Sequence, residues 1–141
     1  DPGLRRDERK SKVMKLNQVT VEVTDIPRAK VFYQALGLIL IVSSDHYARF
    51  ACPGDGPVPT FSVHLVDQVT PSGGGIYFEC DDLDARVALL KASGIIFDTD
   101  PVDQSWLWRE AWMRDPDGNR LCLFYGGENR LNPPWRVGNR L

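Results

Sequence analysis

The sequence lacks an excess of basic residues: 17 lysines and arginines stand against 19 aspartates and glutamates, for a net charge of -2. It also has no stripe of alternating aromatic and basic residues. Without a positive field to follow a phosphate backbone, nucleic-acid binding is not a reading to carry forward. Paired cysteines are lacking too. Cys52, Cys80 and Cys122 are widely spaced, odd in number and form no C-x-x-C, which argues against a disulfide framework and a zinc knuckle. They read as reduced thiols of a cytoplasmic protein. No apolar run reaches the length of a membrane span. The charged stretch Asp1–Lys12 has no apolar segment and does not read as a secretion signal; residues 1–14 are expected to be a disordered arm or an expression remnant.

What is present is globular: 43% hydrophobic and 26% charged residues, enough apolar side chain for one packed domain. From Gln18 the chain alternates. Val19, Val21 and Val23 share one face, and Gln18, Thr20 and Glu22 the other, as in a half-buried strand. Asp25-Ile26-Pro27 is a helix start, with a capping carboxylate and a proline in the first turn. Ile26, Ala29, Tyr33 and Leu36 then recur at helical spacing up to the stop at Gly37. Three strand candidates follow, LILIVSS, HYARFAC and TFSVHLV, the last two separated by the loop Pro53–Pro59.

The pattern then repeats. Glu22, Asp25 and Gly37 each precede a like residue, Glu79, Asp82 and Gly94, by 57 positions, with Ile26 and Leu83 in the same register. Two strands, WREAWMR and RLCLFYG, flank the turn DPDGN, whose proline and Asp-Gly-Asn suit a tight reversal. The chain thus divides into modules at 15–67 and 74–127 and a proline-rich tail at 128–141. The prolines make the tail an irregular segment, and Trp135 and Val137 are candidates to dock it.

LNQVTVEVTDIPRAKVFYQALGL resembles the opening of glyoxalase/bleomycin-resistance/extradiol-dioxygenase (vicinal oxygen chelate) modules. YFECDDLDARVALLKASG resembles the second opening, and RDPDGNRLCLF the closing hairpin. The resemblance implies an α+β fold: two βαβββ modules forming a curled mixed sheet around a central cavity, with helices outside. The modules pair within one chain or are exchanged in a homodimer. Strand parity on that architecture turns Gln18, Thr20, Ser62, His64, Gly75, Tyr77, Glu110, Trp112, Cys122 and Phe124 toward the cavity.

Metal-dependent members of the superfamily place ligands at four cavity positions, which fall here on Gln18, His64, Gly75 and Cys122. Gly75 has no side chain to offer, and Cys122 stands where a carboxylate is usual. The remaining donors make a poor site for Mg²⁺ or Mn²⁺, and Zn²⁺ or Ni²⁺ would lack a third strong ligand. No cofactor is therefore expected, the alternative being a divalent metal on Gln18 and His64. Glu22 and Glu79 read as solvated strand ends, and His46 as surface.

Trp106, Trp108 and Trp112 lie on even positions, one face of an extended segment, with Glu110 between them. With Tyr77 and Phe124 they suit a slot for a planar or cationic ligand. Arg49 could clamp an anionic group, but its parity is not fixed by the sequence. Two readings remain open. One is a binding protein sequestering an aromatic or cationic compound, as in antibiotic resistance, on Gln18, Thr20, Ser62, His64, Tyr77, Trp108, Glu110, Trp112, Cys122 and Phe124. The other is a lyase, isomerase or dioxygenase using a metal, or His64 as general base with Glu110. The expected partner in either case is a small organic molecule.

Overall fold

A computed structural model of the chain describes residues 14–141; the expected N-terminal arm lies almost wholly outside them. The first module runs β1 (Gln18–Val23), α1 (Ile26–Ala35), β2 (Ile39–Ser43), β3 (Tyr47–Ala51) and β4 (Thr60–Leu65). The second runs β5 (Ile76–Glu79), α2 (Leu83–Ala92), β6 (Val102–Asp103), β7 (Arg109–Arg114) and β8 (Arg120–Tyr125), followed by the short α3 (Glu128–Leu131). Each module makes one four-stranded mixed sheet, ordered β1-β4-β3-β2 and β5-β8-β7-β6. In both, the first and last strands pair in parallel while the others pair antiparallel. The duplication read from the sequence is therefore a duplication of topology.

Its details hold at the helix ends. Asp25 caps α1 by accepting the Arg28 amide at 2.8 Å, and Pro27 sits in the first turn. Gly37 and Gly94 end α1 and α2 with φ of 99° and 100°, a left-handed conformation that other residues adopt at a cost. Asp82 begins α2 without a side-chain cap, so the repeated acid keeps its place and not its bond.

The faces follow the alternation. Val21, Val23, Phe61, Val63, Ala48 and Phe50 turn inward and pack with Ile26, Ala29 and Tyr33 of α1. Ala111, Met113, Leu121 and Leu123 do the same in the second module with Leu83, Val87 and Leu90 of α2. These two layers form one core, joined where Phe61 meets Phe78 at 5.7 Å between ring centroids. The DPDGN turn clasps the junction. Asp115 accepts the Tyr33 hydroxyl at 2.6 Å, Asp117 accepts the Thr24 amide at 3.0 Å, and the Asn119 side chain donates to the Glu22 carbonyl at 2.8 Å.

The α+β class and the two modules match expectation, but the eight strands form two separate, unclosed sheets. Because the helix-side faces share a core, the opposite faces both point to solvent. Among the described residues, two hollows of about 680 and 730 Å³ lie along the module junction, and neither is lined by Trp108, Glu110 or Trp112. The second strand of the second module, expected but not located in the sequence, is the two-residue β6, and α3 opens a tail expected to be irregular. Trp135 and Val137 are 56% and 89% exposed and do not dock on the body. No helix of the described residues is long and apolar enough to cross a membrane.

Candidate functional site

The open face of the second sheet is an aromatic wall. Trp108 stacks on Phe124 with centroids 4.4 Å apart and planes 21° from parallel. Tyr77 stands edge-on to Trp108, Trp112 and Phe124 at 6.0, 5.4 and 5.6 Å. The Arg120 guanidinium lies 4.3 Å from the Trp112 ring centroid. The wall is built by alternation: Glu110 and Trp112 project from β7, Phe124 and Arg120 from β8, and Tyr77 from β5, all away from the core. Tyr77 remains 46% exposed, so the wall is open to a ligand.

Within it sits Glu110, a carboxylate only 2% exposed. Oε1 accepts the Trp112 indole N–H at 3.0 Å, and Oε2 accepts the Trp106 indole N–H at 2.7 Å. Both donors are neutral, and the carboxylate makes no ion pair with a described residue. Its two oxygens are thus satisfied by neutral indole donors, with the Arg120 guanidinium standing on the ring of one of them. Burial, with Cys122 and Glu110 nearby, raises the Tyr77 phenol above its ordinary value.

The two superfamily ligand positions in this module cannot serve a metal. A side chain at Gly75 would collide with Trp112, whose Cζ3 and Cη2 lie 2.7 and 2.9 Å from the position of an added Cβ. Indole fills that place. Cys122 is fully buried, and burial, reinforced by Glu110, pushes its thiol up to about 12; its sulfur faces the Leu123 carbonyl, with no pair of His, Cys, Asp or Glu beside it among the described residues to complete a site. Gly75→Ala is accordingly expected to push Trp112 off Glu110, at a cost of about 1–3 kcal/mol. An unchanged near-ultraviolet circular dichroism spectrum in that variant would contradict the packing.

The first sheet presents a polar open face. Gln18 and Thr60 lie opposite one another, joined by a 2.8 Å bond from the threonine hydroxyl to Gln18 Oε1. Thr20 and Ser62 form the next row, their hydroxyls 2.6 Å apart. His64 stands opposite Glu22, four residues along from Thr60. Gln18 and His64, the ligand pair expected for any metal, are thus displaced by about 13 Å along the strands. That span, together with the Gln18–Thr60 bond, keeps the two from sharing one ion. The described residues contain no group of three or more His, Cys, Asp or Glu side chains able to hold a metal. The residues present do not fit the superfamily's metal.

The structure therefore brings together Tyr77, Trp108, Glu110, Trp112, Cys122 and Phe124 on one sheet, and Gln18, Thr20, Ser62 and His64 on the other. It does not bring the two groups to a common cavity within one chain. Glu22 and Glu79 have roles the sequence reading missed. Glu22 accepts the Thr70 amide at 2.8 Å, and Glu79 accepts the amides of Gly126 and Gly127 at 2.9 and 3.0 Å. Each anchors the backbone leaving the last strand of its own module. Their shared 57-residue register was the available signal.

A sequence profile of the Glyoxalase/Bleomycin resistance protein/Dioxygenase superfamily matches residues 15–123, both modules in order. The chain belongs to this superfamily. Solved structures agree on the fold. A glyoxalase-superfamily member from Sphaerobacter thermophilus superposes with a TM-score of 0.68 at 23% identity, over 81% of this chain and 98% of that one. The bleomycin resistance determinant of transposon Tn5 gives 0.67 at 20% identity, covering 80% and 98%. Lactoylglutathione lyase from Agrobacterium tumefaciens gives 0.67 at 17%, covering 81% and 95%. No curated protein matches the sequence. The glyoxalase-superfamily scaffold hosts both a resistance determinant and a lyase, so fold alone does not choose a function.

Proposed function

We propose that this glyoxalase-superfamily protein binds and sequesters a planar aromatic, cationic compound on the aromatic wall of its second sheet, without a catalytic metal. The observation that carries this reading is Glu110, a buried carboxylate whose oxygens take the N–H edges of two indoles at the foot of the aromatic wall. A ligand ring seated on the exposed Tyr77 and displacing Arg120 from the face of Trp112 gains apolar contact, and the rings and carboxylate together favour positive charge. Both open faces are uncovered in a single chain. A second copy placing its polar first sheet opposite the aromatic wall would close the slot, so the working unit is a homodimer. Sequestration of this kind serves antibiotic resistance when the compound is a drug.

The test is quenching of tryptophan fluorescence by N-methylquinolinium against its neutral isostere 1-methylnaphthalene. The expected result is saturable quenching that favours the cation, a preference lost in Glu110→Gln. Equal affinity for both, or no quenching by either, would overturn the proposal.

A further inference from the structure

Arg49 is the residue whose parity the sequence left open, and the register settles it. Arg49 pairs with Ser62, and Ser62 with Thr20, so all three project from the open face of the first sheet. Tyr47 lies two residues earlier on the same face. The Arg49 Nε donates to the Tyr47 phenol oxygen at 2.9 Å, and the guanidinium carbon is 5.5 Å from that ring's centroid. This bond fixes the plane of the guanidinium and uses only one of its donors. The two terminal amino groups donate to no described residue, and Arg49 makes no ion pair with a described carboxylate. Around it stand hydroxyl groups: Ser62, fully buried at the base, Thr20 beside it, and the Tyr47 phenol. Glu22, the carboxylate on this face, lies in the row of His64 and Tyr47, and its Oε1 is engaged by the Thr70 amide.

A planar guanidinium with its plane fixed and its terminal fork unspent is the donor geometry that carboxylates and phosphates accept in bidentate fashion. Beside it the Tyr47 phenol, which accepts the Arg49 Nε, keeps its own O–H to donate to the same anion. We infer that Arg49 and Tyr47 form an anion-recognition site on the first sheet, taking a carboxylate or phosphate-type oxyanion. The Tyr47 phenol is drawn below its ordinary value, first by the Ser62 hydroxyl, against an opposing effect of burial, and further by Arg49. The site stands on the first sheet's own residues and does not require a ligand on the aromatic wall. If a second copy apposes the two faces, the bound compound carries negative charge at one end and positive charge at the other.

The experiment uses the full chain labelled with ¹³Cζ-tyrosine, the Tyr47 resonance being assigned with Tyr47→Phe. Sodium phosphate is titrated at constant ionic strength against sodium chloride. The expected result is a saturable shift of the Tyr47 resonance at millimolar phosphate. In Arg49→Met the affinity should fall at least about tenfold, with Arg49→Lys between the two. A Tyr47 resonance that ignores phosphate would overturn the inference, and so would an equal shift in Arg49→Met. N-methylquinolinium quenching on the same sample separates the two claims. Quenching without a phosphate response fails only this site; a phosphate response without quenching fails only the aromatic slot.

Discussion

Replacing Asp115 with alanine is expected to destabilise the fold by about 3–5 kcal/mol, the cost of removing a buried charged acceptor from its partners. Asp115 is 4% exposed and accepts four hydrogen bonds. Oδ1 takes the amides of Asp117 and Asn119, both at 2.9 Å, which shapes the DPDGN turn. Oδ2 takes the Asn119 side chain at 2.8 Å and the Tyr33 hydroxyl at 2.6 Å, which ties that turn to the helix of the other module. Tyr33 is fully buried, so without Asp115 its hydroxyl would have no acceptor. Burial, then the Asp115 charge, keeps that phenol protonated well above the ordinary range. Tyr33→Phe should cost less, about 1 kcal/mol, because Asp115 retains three donors. Urea unfolding of the two variants measures the difference. A loss below about 1 kcal/mol for Asp115→Ala would mean the turn is not the clasp between modules.

The second large effect is on binding. Trp108→Ala and Trp112→Ala should each weaken N-methylquinolinium by about tenfold to a hundredfold, and the double variant should abolish it. The two losses should cost stability by different routes. Trp108 stacks on Phe124 and donates to the Asn129 carbonyl at 3.3 Å, so its loss opens a gap beneath α3. A cost of about 2 kcal/mol is expected there. Trp112 is bonded to Glu110 and covered by Arg120, so its loss leaves Oε1 of a buried carboxylate without its donor, at a cost of about 1–3 kcal/mol. Fluorescence of the bound ligand, or calorimetry where tryptophan is removed, measures both. Undiminished affinity in the double variant would remove the wall from the site.

The modules were legible because their signals are local. Val19, Val21 and Val23 alternate, Asp25 and Pro27 start a helix, Gly37 and Gly94 stop two, and DPDGN turns a hairpin; each acts within a few residues. The aromatic wall was legible for the same reason, since parity along β7 and β8 carries Glu110, Trp112 and Phe124 to one face. Trp106 precedes β7 in a turn, so its bond to Glu110 was beyond parity alone. Register between strands distant in sequence was not legible. The parallel pairing of Gln18 with Thr60 joins residues 42 apart, and it separates Gln18 from His64. Arg49 was ambiguous because a loop and a bulged partner strand flank β3, and only its pairing with Ser62 fixes its face. That the aromatic and the polar group share no cavity among the described residues follows from the modules packing through their helix-side faces. Phe61 and Phe78 determine that contact jointly, and nothing in either strand announces it.

The central claim is that a superfamily scaffold known for metal chemistry here presents an aromatic slot that works without one. Calorimetric titration of chelator-treated protein with N-methylquinolinium tests it most directly, repeated after adding back Zn²⁺, Ni²⁺ or Mn²⁺. The expected result is the same affinity with and without each metal, unchanged by His64→Ala and lost in the Trp108, Trp112 double variant. Binding that appears only when a metal is restored, and disappears with His64→Ala, would contradict it.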